Sequence, residues 1–143
     1  MIDRTLLSID TSAHARQAIR LASEMAQRMK AEVLVFHVRE WILGPKGPFD
    51  EGIEETSRIL GGAVRELEAD GVHVRVQVKS GYFGHTARWI VEAAQASRAD
   101  LIVMGRSGSS NLRGTPLGGV THKVLQLSDV PVLVSGPEAT RAT

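Results

Sequence analysis

Apolar positions along the chain fall into two kinds of run. Short, nearly continuous ones stand at TLLSI (5–9), EVLVFHV (32–38), DLIVMG (100–105) and PVLV (131–134). The first three predict strands buried on both faces. Between them apolar residues recur at three- and four-residue spacing, the stripe of an amphipathic helix. Ala18, Leu21, Ala22, Met25, Ala26 and Met29 predict a helix over about 13–30. Ile53, Thr56, Leu60, Ala63, Val64 and Leu67 predict a second, ended by Gly71. Ala87, Ile90, Val91 and Ala94 mark a third, and Val120, Val124 and Leu127 a short fourth around 119–128. VHVRVQV (72–78) is different: its valines alternate strictly with His73, Arg75 and Gln77. One apolar face predicts a strand at a sheet edge. Residues 39–50, REWILGPKGPFD, hold two prolines and two glycines and read as a break. SGYFGH (80–85) reads as a turn.

Strands alternating with helices predict a parallel sheet with right-handed crossovers. Placing the continuous runs inside and 72–78 at an edge gives a doubly wound α/β fold. It has five parallel strands in the order 3-2-1-4-5 and helices on both faces. At 143 residues, without repeats or low-complexity segments, the chain is expected to be one domain, 1–143, with a frayed tail after Val134.

In such a sheet a ligand crevice opens where the strand order reverses, beyond the carboxyl ends of strands 1 and 4. Strand 1 runs into DTS (10–12), and strand 4 runs into GRSGSSNLRGTPLGGVTHKV (105–124). Between Gly105 and Gly119 lie five glycines, three serines and one proline, counting both ends. Glycines let the backbone approach a ligand closely. Successive backbone N–H groups and a following helix N-terminus attract anions. Arg106 and Arg113 add charge. The loop is therefore a candidate phosphate cradle facing Asp10, with a plain flexible connection as the alternative. It is neither GxxxxGK[ST] nor GxGxxG.

Charge and composition narrow the partners. The net charge of +1 gives no electrostatic case for nucleic acid or a membrane surface. The chain has no cysteine, hence no disulfide framework, thiol nucleophile or Cys-rich metal site. Its histidines, His14, His37, His73, His85 and His122, show no metal-ligand spacing, so no metal ligands are assigned. No segment reads as a signal peptide or membrane span, and the expected location is the cytoplasm. His37 reads as a satisfied core or edge histidine. Asp50, Glu51, Glu54 and Glu55 open a helix, where carboxylates suit the dipole. Trp41 and Trp89 read as packing residues. No catalytic residues are assigned.

The spacing Gly105-x2-Gly108-x9-Gly118, followed by a small residue and VT, resembles the nucleotide-binding motif G-2x-G-9x-G-(S/T) of the universal stress protein family. The likeness extends to the chain length, the SID-S after strand 1 and the closing VPVLV. It implies ATP binding with Mg²⁺ on the phosphates, in a stress-response or signalling protein, with at most slow hydrolysis. By resemblance Asp10 contacts the adenosine end and the backbone of Val38 meets adenine. Met104, Gly105, Arg106 and Gly108 line ribose and phosphates, and Gly118, Gly119 and Val120 cap the phosphates with N–H groups. Gly119 departs from the pattern, standing where Ser or Thr is usual, although Thr121 lies two residues on. Ser8 stands where many relatives have proline. The apolar VPVLV at 130–134 is expected at a sheet edge, where it invites antiparallel pairing into a homodimer, as the resemblance also suggests. The alternative is a dimeric interaction module that has lost nucleotide binding and docks through 39–50, with Trp41, Ile42 and Phe49. An enzyme acting on a small phosphorylated substrate in the same crevice is a third.

Overall fold

A computed structural model of the chain describes residues 1–10, 14–45, 47–50, 52–82, 84–106 and 118–136, apart from the side chains of residues 14, 42–44 and 47–50. The elements are β1 (Arg4–Ile9), α1 (His14–Met29), β2 (Glu32–Gly44), β3 (Gly47–Asp50), α2 (Ile53–Ala69), β4 (Val74–Tyr82), α3 (Thr86–Ala96), β5 (Leu101–Gly105), α4 (Gly119–Leu127) and β6 (Val132–Ser135). Five of the strands pair in parallel in the order β4-β2-β1-β5-β6. Counted along the chain, that is the expected 3-2-1-4-5.

The apolar runs explain the layers. Along β1, Leu7 and Ile9 face one side and Leu6 the other, and all are buried. Leu7, Val33, Val35 and Val103 pack under α1 and α2 against Ala18, Ala22, Ala63 and Leu67. Leu6, Phe36 and Ile102 pack under α3 and α4 against Ala87, Ile90, Ala94 and Val124. Each fully buried Leu, Val, Ile or Phe contributes about 1.5–3 kcal/mol. Alanine on the buried helix stripes lets the helices lie close to the sheet. At the amino ends, Asp100 Oδ2 accepts the backbone N–H groups of Asp3 (2.9 Å) and Arg4 (3.0 Å). These two hydrogen bonds hold its carboxyl below the usual carboxylate range and tie the start of β1 to that of β5.

β4 is the expected edge strand: Val76 and Val78 are exposed, and it pairs only with β2 among the described residues. It runs past the expected turn, to Tyr82. The indole of Trp89 lies on Gly81, where an added Cβ would stand 1.9 Å from Trp89 Cη2. Lys79 Nζ sits 5.1 Å from the centre of the same ring.

Residues 39–50 do not break the sheet. β2 continues to Gly44, the chain reverses, and Gly47–Asp50 pairs antiparallel with Trp41–Gly44. Proline is tolerated there because β3 is an edge strand whose outer N–H groups need no ladder partner. β4 occupies one edge of β2 from Val33 to Trp41, and Trp41 also pairs with Asp50. β3 therefore takes the edge that β1 occupies lower down. It stands beyond the carboxyl end of β1, at the mouth of the crevice.

Candidate functional site

Three strand ends stand in a row at the crevice, β1, β5 and β6, beside the middle of β2. Between β1 and β5 the winding reverses, since β1 leads to β2 on one side while β5 leads to β6 on the other. Asp10 follows β1 directly and is half-buried. Ile9 and His37 are register partners, and His37 Nδ1 lies 2.8 Å from the Ile9 carbonyl. A carbonyl only accepts, so Nδ1 carries the proton. His37 is buried, as expected of a satisfied histidine. Its hydrogen bond also braces β2 against the end of β1, so Asp10 and Val38, the next residues along the chain, are held side by side. Val38 is half-buried against the core beneath α3.

On the β5 side, the Met104 side chain is buried in that core, and its backbone lies in the ladder between Ser8 and Val134. Gly105 and Arg106 are half-buried. Their backbones are fixed from three directions. The Arg106 N–H donates to the Ser135 carbonyl at 3.0 Å, and the Arg106 carbonyl accepts from Gly118 N–H at 2.9 Å. The Thr121 hydroxyl donates to the Gly105 carbonyl at 2.9 Å. The glycine loop is thus closed at its base between Arg106 and Gly118. Gly108 and Arg113 lie outside the described residues, as do Thr11 and Ser12.

α4 starts where the loop closes. Gly118, extended at φ −65° and ψ 157°, is its N-cap and supplies no side-chain cap. The His122 N–H donates to the Gly118 carbonyl at 2.9 Å. Helix geometry leaves the N–H groups of Gly119, Val120 and Thr121 without intrahelical acceptors. The helix dipole adds about half a positive charge there. An anionic group fits this end. Among the described residues nothing lies within 4 Å of a Cβ added at Gly119. Thr121 is buried and its hydroxyl proton is committed to Gly105, so its side chain acts as a brace between α4 and β5.

The site thus brings together Asp10, Val38, Gly105, Arg106, Gly118, Gly119 and Val120, with Met104 and Thr121 supporting from below. Among the described residues, no three His, Cys, Asp or Glu side chains converge as a metal cluster. Mg²⁺ fits such a site through phosphate oxygens and water more than through protein ligands. One residue escaped the sequence reading. Ser135, the last of β6, is buried, and its Oγ has no hydrogen-bond partner among the described residues. A serine closing an apolar strand gives no signal beyond a strand end. No helix among the described residues is long and apolar enough to cross a membrane.

Comparison with known proteins agrees with the architecture. The family model described as universal stress protein family matches residues 1–135. The universal stress protein YxiE of Bacillus subtilis is 31% identical over 149 residues, covering 94% of this chain and 99% of its own. The solved structure of MJ0577, a universal stress protein of Methanocaldococcus jannaschii, superposes with a TM-score of 0.76 at 26% identity, over 98% of this chain and 99% of that one. The structure of an Archaeoglobus fulgidus universal stress protein in complex with dAMP superposes with a TM-score of 0.71 at 24% identity, over 94% and 99%. A model match across nearly the whole chain, a relative of equal length and the same winding of the sheet lead to one assignment: this chain belongs to the universal stress protein family.

Proposed function

We propose that the protein, as a one-domain cytoplasmic unit, binds ATP with Mg²⁺ as a stress-response or signalling protein. The observation that carries the reading is the uncapped first turn of α4, tied through Gly118 and Arg106 to the end of β5, across the crevice from Asp10. The dAMP held by the Archaeoglobus relative supports an adenine nucleotide as ligand. In this reading Asp10 meets the adenosine sugar and the Val38 backbone meets adenine. Gly105, Arg106 and Gly108 follow ribose and phosphates, and the N–H groups of Gly118, Gly119 and Val120 face the phosphate region. The Gly118 N–H already serves Arg106, so Gly119 and Val120 carry most of that work. Bound Mg²⁺ would neutralise phosphate charge. Asp10 stands at the adenosine end, away from the terminal phosphate, so the protein is a binder with at most slow hydrolysis.

The departure at Gly119 gives a direct test. Gly119→Ser puts its Cβ into open space and supplies one hydroxyl at the helix start. One such hydrogen bond is worth about 0.5–1.5 kcal/mol. Gly119→Ser is expected to tighten ATP binding by up to about tenfold, with the thermal midpoint of the ligand-free protein held or slightly raised. An unchanged or weaker affinity would place the phosphates away from α4.

The two open sheet edges differ in chemistry. β4 exposes Arg75 and Lys79 along its edge, and such charges oppose strand pairing between copies. β6 reads VLVS, uncharged, with Val132, Leu133 and Val134 half-buried. The homodimer is therefore proposed through Val130–Val134. Sedimentation equilibrium is expected to return the mass of two chains, and a single-chain mass at every concentration would contradict it.

The second reading, a docking module without nucleotide, rests on the exposed pair Trp41 and Tyr82, whose rings meet edge to face with centres 5.7 Å apart.

A further inference from the structure

Ser135 is 5% exposed, and its Oγ has no hydrogen-bond partner among the described residues. Burying a hydroxyl without a partner is costly, and native proteins rarely keep one without a reason. This one closes β6, the strand beside the proposed site. Ser135 is the register partner of Gly105, and its carbonyl accepts the Arg106 N–H at 3.0 Å. It is therefore pinned to the first residues of the glycine loop.

Its place in the row of strand ends is informative. The order across the crevice is Val38 on β2, Asp10 after β1, Gly105 on β5 and Ser135 on β6. Neighbouring strands lie about 4.8 Å apart, so three steps span about 14 Å. That is the reach of an extended nucleoside triphosphate. With adenine at Val38 and the first phosphates over Gly105, the last phosphate arrives over β6. Side chains alternate along a strand. Leu133 packs in the layer of α1, so Ser135 faces that same layer. α4 belongs to the opposite layer. A terminal phosphate above the strand ends is approached by the α4 N–H groups from one side and by the Ser135 hydroxyl from the other.

We propose that Ser135 donates its hydroxyl hydrogen bond to the terminal phosphate of the bound nucleotide, and so makes the site prefer a triphosphate to a monophosphate. The proposal rests on the ATP-binding reading above. The hydroxyl is sheltered in the ligand-free protein, and its partner comes with the ligand. The arrangement trades stability for binding.

The test is titration of wild type and Ser135→Ala with ATP, ADP and AMP, each with Mg²⁺, alongside thermal unfolding without ligand. Ser135→Ala is expected to weaken ATP by about tenfold, to leave AMP within about twofold, and to unfold at the same temperature or higher. Equal losses for ATP and AMP would overturn the proposal. So would unchanged ATP binding with a lowered unfolding temperature, the mark of a hydroxyl partnered by a buried water. Wild type that binds ATP, beside a variant that matches it, removes this inference alone. Wild type that binds none of the three removes the nucleotide reading and this inference with it.

Discussion

Gly105→Val is expected to abolish the proposed ATP binding, with a loss of at least a hundredfold, and to leave the fold intact. Gly105 ends β5 at the floor of the crevice, half-buried, with its carbonyl fixed by the Thr121 hydroxyl at 2.9 Å. In the proposed reading the ligand running from Asp10 to α4 crosses this residue at backbone distance, where glycine allows the closest approach. A branched side chain fills it. The displacement separates the phosphates from the Gly119 and Val120 N–H groups, and two or three such bonds to an anion amount to about 3 kcal/mol or more. Valine suits a strand, so circular dichroism and sedimentation are expected to match wild type. The same variant separates the two functional readings. A docking surface at Trp41 and Tyr82 survives it, whereas nucleotide binding does not. Affinity within threefold of wild type, by calorimetry with Mg²⁺, would move the ligand path off β5.

His37→Ala is expected to cost about 2–4 kcal/mol of stability. His37 is 2% exposed, so truncation leaves a buried cavity. It also removes the donor to the Ile9 carbonyl at 2.8 Å, which is left buried without its partner. Urea unfolding is the measurement, with an unchanged slope and a lowered midpoint. A second consequence distinguishes this residue from an ordinary core position. The hydrogen bond holds the end of β1 in register with the middle of β2, and with them Asp10 and Val38. ATP affinity of the folded variant is therefore expected to fall several-fold, although His37 lies below the ligand. By contrast Leu67→Ala, on the buried face of α2 near the helix end away from the crevice, is expected to lower stability without changing affinity. A His37→Ala protein with wild-type affinity would reduce the histidine to packing alone.

The sheet order could be read from the sequence because burial leaves its mark there. Three continuous apolar runs became strands covered on both faces, and the strict alternation of Val72 to Val78 became the edge. The hairpin from Trp41 to Asp50 could not be read. Proline and glycine in that segment look the same whether they end a sheet or turn a short edge ribbon, and pairing with β2 is a long-range fact. β4 likewise outran its apolar pattern, since Gly81 carries no side chain and its reason is the Trp89 ring lying on it. At the site, the glycines that needed closeness were visible as glycines. The braces were not: the Thr121 hydroxyl looked like a ligand donor, and it fastens Gly105. Ser135 gave no signal, because the lack of a partner for its Oγ among the described residues exists only in three dimensions. Gly108 and the middle of the loop remain expectations from the motif.

The account turns on whether the cradle between Asp10 and α4 holds ATP. The most direct measurement is calorimetric titration of nucleotide-stripped protein with ATP and Mg²⁺. The account predicts one ATP per chain, with a dissociation constant in the micromolar range, about −8 kcal/mol. No heat of binding and no protection up to millimolar ATP would contradict it, and the glycine spacing would then be a relic on a protein that works through its surface at Trp41 and Tyr82.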